Sequence, residues 1–235
     1  MIKIENVVLP SPEQWEAVIR GMRNPKNSWH LSDSYFGFSY QYPDDCEPEY
    51  DIEVGPNDHK LMMKLAGGGP VHAKYRRMID IFVDITAPLY WWKEFDTYKI
   101  GTVTNSCSTM HKIHDKEFTL DDFSHEHLFD EVLEGDVTDE IFLWKSGFVD
   151  LIINGLNEAR RRFLETGDKK YWWQMIQLLP SSYNQKRTVK LNYEVLVGIY
   201  IWRKNHKLDE WCAFCEWIET LPYSELITGG KTDEK

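Results

Sequence analysis

Cysteine is scarce, with four in 235 residues, and the opening Met1-Ile2-Lys3-Ile4-Glu5-Asn6 does not read as an export signal. A disulfide-stapled secreted scaffold is thereby excluded, and free thiols in a reducing cytoplasm are expected. Long apolar runs are missing too. No segment approaches the roughly 18 residues that a membrane-spanning helix needs, so no membrane partner is expected. Basic charge is in deficit, 27 Lys and Arg against 38 Asp and Glu for a net −11, which argues against non-specific attachment to nucleic acid. Cys212-x-x-Cys215 has no second cysteine pair and falls inside a helical pattern, so it reads as packing rather than a zinc site. His111-x-x-His114 and His125-x-His127 lie among carboxylates and read as a solvated acidic surface, so no metal is expected. Gly67-Gly68-Gly69 lacks a following Lys-Ser/Thr, and a turn is preferred to a phosphate loop. Internal repeats and low-complexity linkers are absent. Residues 1–227 therefore read as one domain, with an acidic insertion at about 115–140 and a disordered tail at 228–235.

What the chain has in quantity is aromatic rings: ten Trp, twelve Tyr and eleven Phe. Rings on that scale fill a core or build flat walls for planar ligands. Ser11-Pro12-Glu13-Gln14 combines a cap, a first-turn proline and a capping-box partner, and starts a helix reaching about Arg23. Tyr42 to Asp58 is acidic and Pro-bearing and reads as a loop, with Asn57 or Asp58 capping a short helix from His59 to Ala66. Arg76 to Thr86 alternates, with Ile79, Ile81, Val83 and Ile85 on one face, and is the best strand in the chain. Pro88 opens a helix from Leu89 to about Tyr98, and Gly101 to Ser108 is turn or strand. Helices are expected over Phe142–Glu165, Lys169–Leu179, Asn192–Arg203 and Asp209–Thr220, with a strand over Tyr183–Leu191. Few strands and several long helices predict an α+β fold, a small and mostly antiparallel sheet packed with long helices.

Arg203 stands out within this pattern. Val195, Leu196, Ile199, Tyr200 and Trp202 form one apolar arc on a helical projection, and Arg203 falls in its middle. A guanidinium on a core-facing stripe is costly unless an anionic or strongly polar group meets it. Asn192 projects nearly the same way, about 16 Å back along the axis. Together the two could touch opposite ends of a ligand of nucleotide size. A core-edge salt bridge or a snorkelling arginine would satisfy the same pattern. Cys107 is a thiol that could add to C6 of a pyrimidine, but no sequence-local base activates it, and a spectator is preferred.

Two blocks carry a resemblance to a known family. In the second, Leu179-Pro180 is followed by Asn192 and then by Arg203, running on to a Trp near position 211. In the first, His72 is followed by a strand ending at Ala87-Pro88, by Lys93-Glu94, and by Asn105 and Ser108. These spacings resemble the flavin-dependent thymidylate synthases of the ThyX type, over roughly Leu61 to Ser224. The chain departs from that family at several positions. Thr97-Tyr98-Lys99 stands where the family has Arg-His-Arg, Ser106 where it has Glu, and Met110 where it has Arg. Glu194 and Gly198 replace an Arg and a flavin-contacting Asn, and Ile176-Gln177 stands where a phosphate-binding Arg is expected.

The resemblance implies reductive methylation of dUMP at C5, with methylenetetrahydrofolate as carbon donor and NADPH-reduced FAD as hydride source. In that scheme Arg203 is the catalytic residue, stabilising charge on the uracil oxygens. Glu94, Ser106, Ser108 and Arg187 are expected on the substrate, with Lys99 and Lys190 as further phosphate candidates. His72, Tyr98, Lys99, Asn105 and Asn192 are expected on the cofactor. Tyr90, Trp91 and Trp92 are expected to pack against a neighbouring subunit, since the family builds its sites between subunits of a homotetramer. Another C5 modification such as hydroxymethylation, or a non-catalytic nucleotide-binding or assembly role, remains open beside this scheme.

Overall fold

The computed structural model describes residues 2–39, 49–128 and 146–229. The tail from 230 onward, part of the acidic stretch (129–140), the residues that follow it (141–145) and part of the expected loop (42–48) lie outside them. The described strands are β1 (Lys3–Val8), β2 (Tyr35–Ser39), β3 (Glu49–Glu53), β4 (Asp80–Pro88), β5 (Val103–Ser106) and β6 (Asn184–Asn192). The helices are α1 (Pro12–Arg23), α2 (Pro56–Gly67), α3 (Leu89–Phe95), α4 (Ser146–Thr166), α5 (Lys169–Leu178), α6 (Tyr193–Arg203), α7 (Asp209–Glu219) and α8 (Glu225–Thr228).

Four strands form one sheet in the order β1-β4-β6-β5, and β2 pairs with β3 in a separate hairpin. The hairpin is antiparallel, in register from Tyr35↔Glu53 to Ser39↔Glu49. Strands β4 and β6 also run antiparallel: Leu89 N–H donates to Tyr183 O beyond one end, and Tyr193 N–H to Ile79 O beyond the other. The architecture is α+β, as the pattern predicts. Contacts divide the chain into two compact units. The first comprises Met1–Lys3, Ile85–Thr97 and Asn105–Arg187, the second Ile4–Asp84, Tyr98–Thr104 and Thr188–Lys235. The divide falls inside β1, β4, β5 and β6.

In the second unit, α1 begins as its sequence dictates: Ser11 and Gln14 form a reciprocal capping box with proline in the first turn. Trp15, Val18, Ile19 and Met22 recur at helical spacing and are buried, and the Trp15 ring meets Tyr193 and Tyr223 edge-on. The alternation in β4 is realised, with Ile79, Ile81, Val83 and Ile85 fully buried and Phe82 exposed. The strand starts later than expected. Lys74–Met78 winds into a 3-10 turn, because Arg76 is buried and donates to Glu194 Oε2 at 2.8 Å and to Leu226 O at 3.0 Å. An extended Arg76 would leave that cation without its carboxylate.

Two further local readings change. Glu49–Glu53 is a strand rather than loop, and α2 starts at Pro56, not His59. The backbone N–H groups of Asn57 and Asp58 are capped by the Asp33 carboxylate from another segment, so neither residue acts as the cap. On α6 the buried positions are Tyr193, Leu196, Ile199 and Tyr200, whereas Trp202 is 77% exposed. The core-facing arc is therefore narrower than the projection.

The first unit has its own core of Ile113, Phe118, Phe123, Leu156, Ala159 and Met175, flanked by Phe163, Trp172 and Tyr183. Trp91 and Trp92 are fully buried within the chain and pack on Phe95. Trp92 donates its indole N–H to Gln185 O at 2.8 Å, and Tyr90 bonds Ser124. The expected role of Trp91 and Trp92 against another subunit is thus replaced by core packing.

Candidate functional site

The second unit places Arg203 at the last turn of α6, half-buried among rings. Its guanidinium carbon lies 4.8 Å from the Trp211 ring centre and 5.7 Å from that of Tyr98. Its Nε donates to the Tyr98 hydroxyl at 2.9 Å, and Nη1 lies 2.9 Å from His206 Nε2. Trp211 is fully buried and gives the flat guanidinium a rigid backing, the geometry that suits cation–π contact. A cation held this way keeps one orientation and needs little reorganisation when charge develops beside it.

Tyr98 is delivered by a tight turn. Gly101 has φ +88, a conformation that only glycine adopts without strain, and the Thr102 hydroxyl closes on Tyr98 O. A Cβ on Gly101 would stand 2.9 Å from Val195 Cγ2 and 3.1 Å from Asn192 Nδ2. Gly101→Ala is therefore expected to destabilise the chain by about 1–3 kcal/mol, read as a lower urea midpoint. An unchanged midpoint would show that the turn relaxes freely. Asn192 sits at the N-cap of α6 with extended backbone angles, and its Oδ1 accepts the Val195 N–H at 3.1 Å. The helical projection does not apply to a residue outside the helix. Its carboxamide oxygen serves the cap.

The other expected residues spread over both units. In the second, His72 and Lys99 are exposed. In the first, Asn105 and Ser106 are exposed on β5, and Ser108 follows it with Oγ accepting the N–H groups of Met110 and His111 at 3.3 and 2.9 Å. Glu94 is half-buried on α3. Arg187 is occupied: it ion-pairs with Asp96 at 2.7 Å, donates to Gln185 Oε1 at 3.0 Å and covers the Trp92 ring at 4.2 Å. Of all these residues the structure joins Tyr98 to Arg203, and it gives Arg187 a packing role that its sequence position does not reveal.

A cleft of about 230 Å³ in the first unit is lined by Thr86, Cys107, Ser108, Lys116, Asn184 and Lys186, among others. Cys107 is an exposed free thiol there. Sequence reasoning passed over His206, Lys116 and Asn184. Only His206 left a trace, three residues beyond Arg203 at the helix end. A larger cleft of about 450 Å³ along α1 is lined by Arg20, Trp29 and Tyr35 and holds none of the expected residues, so size alone does not mark the site.

The two cysteines on α7 differ: Cys212 is half-buried with its Sγ 3.4 Å from His206 O. Cys215 is buried, and burial pushes its thiol up to about 12. Among the described residues no group of three or more His, Cys, Asp or Glu is placed to hold a metal, and no helix is long and apolar enough to cross a membrane.

The fold is ThyX-like. The chain is similar to the structure of thymidylate synthase X from Helicobacter pylori with FAD and dUMP, at TM-score 0.60 and 14% identity, covering 96% of this chain and 94% of that one. It is also similar to the UMP/dUMP methylase PolB from Streptomyces cacaoi with 5-Br dUMP, at TM-score 0.58 and 13% identity, covering 97% and 94%. The same methylase with 5-Br UMP matches at TM-score 0.56 and 15% identity, covering 97% and 95%. No family model and no curated protein matches the sequence.

Tested against a flavin, the donor set is thin. Lys99 offers one cation, and His72 and Asn105 offer exposed polar groups. The Tyr98 hydroxyl and the Asn192 carboxamide oxygen are engaged within the fold. This set does not fit the grip that the resemblance implies, and no step below is routed through the flavin.

Proposed function

We propose that the chain modifies C5 of a pyrimidine nucleotide, with Arg203 as the residue that stabilises charge on the ring. The observation that carries this reading is a guanidinium fixed by Tyr98, His206 and Trp211 on a fold shared with a thymidylate synthase and a UMP/dUMP methylase. For C5 to attack a one-carbon electrophile, electron density must build up on the ring, and negative charge gathers on its oxygens. Planar N–H donors set beside those oxygens lower that barrier. The mechanism asks three things of the chain: hold the nucleotide, keep Arg203 oriented, and keep water from the reacting carbon.

Methylation of dUMP to dTMP, the full form that the resemblance implies, would take its carbon from methylenetetrahydrofolate and would need NADPH-reduced FAD as hydride source, a group that the donor set above does not fit. Exposed Ser106 and Ser108, with Glu94, are assigned to the substrate, and His72, Lys99 and Asn105 are the groups left to meet such a cofactor. The working state is a cytoplasmic homotetramer with sites between subunits, to be checked by light scattering. A second reading, C5 modification without a hydride such as hydroxymethylation, is favoured by one observation: the Tyr98 hydroxyl, at the family's histidine position, is tied to Arg203.

One experiment separates the readings. Purified protein is titrated with FAD under visible absorbance, then given dUMP, folate and NADPH, with product mass measured. Flavin uptake and a methyl product support the full form. A hydroxymethyl product without flavin supports the second. A colourless protein without turnover leaves only a nucleotide-binding or assembly role and overturns the enzymatic reading.

A further inference from the structure

We infer that the end of α6 which the resemblance gives to a flavin is closed by the chain's own groups, and that Asn192, Glu194 and Arg76 form an internal brace there instead. A C5 reaction on this chain then draws no hydride from a bound flavin. This takes its reaction from the pyrimidine-nucleotide reading above, yet the closure can stand or fail without it. A dinucleotide cofactor is held by its phosphates, and a helix N-terminus offers them unpaired N–H groups and the positive end of a dipole. In α6 both are already used. The Tyr193 N–H donates to Ile79 O at 3.2 Å, and the Val195 N–H to Asn192 Oδ1 at 3.1 Å. Glu194 sets a carboxylate in the first turn, so the field that would draw a phosphate is already met by an anion. Access is closed as well. Asn192 is 5% exposed, and the Gly101 turn lies so close that a Cβ there would stand 3.1 Å from Asn192 Nδ2. Contact between Asn192 and a cofactor would require that turn to leave, and with it Tyr98, whose hydroxyl accepts from Arg203 Nε.

The same residues hold the fold together. Glu194 Oε2 accepts from Arg76 Nε at 2.8 Å, and the two side chains are 18% and 7% exposed. Arg76 Nη1 donates to Leu226 O at 3.0 Å, so one guanidinium ties the 3-10 turn before β4 to both α6 and α8. An arginine at 194, as in the family, would face the buried Arg76. Two cations set that close and largely out of water repel strongly. The charge reversal at 194 and the burial of Arg76 therefore belong together.

The full chain is incubated with FAD, with and without dUMP, and passed through gel filtration, with flavin absorbance read against protein. We expect no saturable uptake at FAD concentrations up to about 1 mM. Glu194→Gln should lower the thermal midpoint by about 5–10 °C, the effect of stranding a largely buried guanidinium in a chain of this size. Arg76→Met combined with Glu194→Leu should recover most of that loss. A midpoint unmoved by Glu194→Gln overturns the brace. Stoichiometric retention of FAD by the wild type overturns the closure and leaves the pyrimidine reading intact. Product from dUMP and methylenetetrahydrofolate without added or retained flavin supports both. Neither uptake nor product, with no shift of the wild-type melt by dUMP, leaves the closure standing and overturns the pyrimidine reading instead.

Discussion

Replacing Arg203 by alanine is expected to lower turnover of the pyrimidine nucleotide by about 10²–10³-fold, the effect of losing one preorganised donor to developing charge. The guanidinium is half-buried, faces Trp211 at 4.8 Å and is oriented by Tyr98 and His206, so its donors are set before substrate arrives. Because the charge it meets forms only as the reaction proceeds, kcat and kcat/KM should fall together. The thermal midpoint should move little, since the fully buried side chains of α6 are Tyr193, Leu196 and Ile199. Arg203→Lys keeps the charge but loses the flat fork and its stacking, and should recover only part of the rate. Unchanged turnover in Arg203→Ala, with the fold intact, would remove the catalytic role and leave the nucleotide site without its activator.

The sequence carried those parts of the fold that short-range pattern determines. The α1 capping box, the in–out alternation from Ile79 to Ile85 and the end of α6 at Arg203 are local features, and each is realised where the residues place it. What could not be read depends on partners far along the chain. Nothing near Arg76 announces Glu194, 118 residues away, and that pair replaces the first turn of the expected strand. The hairpin of β2 and β3 is weak in sequence because polar and aromatic residues mix without clean alternation. Arg187 looks like a phosphate ligand until Asp96 and Trp92 are placed around it. Arg203 was legible as a cation on an apolar face, but Tyr98 as its partner was not, for the contact spans 105 positions. Asn192 was misprojected because a cap residue has left the helical angle set.

Asp58→Asn is expected to cost the fold about 3–5 kcal/mol, the effect of stranding a buried cation. Arg23 and Asp58 are 3% and 0% exposed, and Arg23 Nε meets Asp58 Oδ1 at 2.5 Å. The remaining guanidinium donors go to Ser28 and to Leu31 O. Asp58 Oδ2 accepts the Ser32 and Ser34 hydroxyls at 2.7 Å each and the backbone N–H groups of Asp33 and Ser34. Burial pushes the Asp58 carboxyl up, yet the hydroxyls of Ser34 and Ser32 and the Arg23 guanidinium outweigh it, and its pKa lies below the ordinary value. The sign of the pH effect follows. A carboxylate whose folded pKa is depressed adds stability that is present above its unfolded value of about 3.9 and is lost as pH falls through the folded value. Urea unfolding of the wild type should therefore weaken below about pH 4, and Asp58→Asn should flatten that acid limb while lowering the midpoint at neutral pH. A domain stable by about 5–15 kcal/mol could lose most of its margin, so Arg23→Met combined with Asp58→Leu is the control. Removing both charges should restore much of the stability, because the penalty lies in the uncompensated guanidinium rather than in the missing pair. Equal destabilisation by the single and double variants would instead locate the loss in the Ser32–Ser34 turn that Asp58 organises.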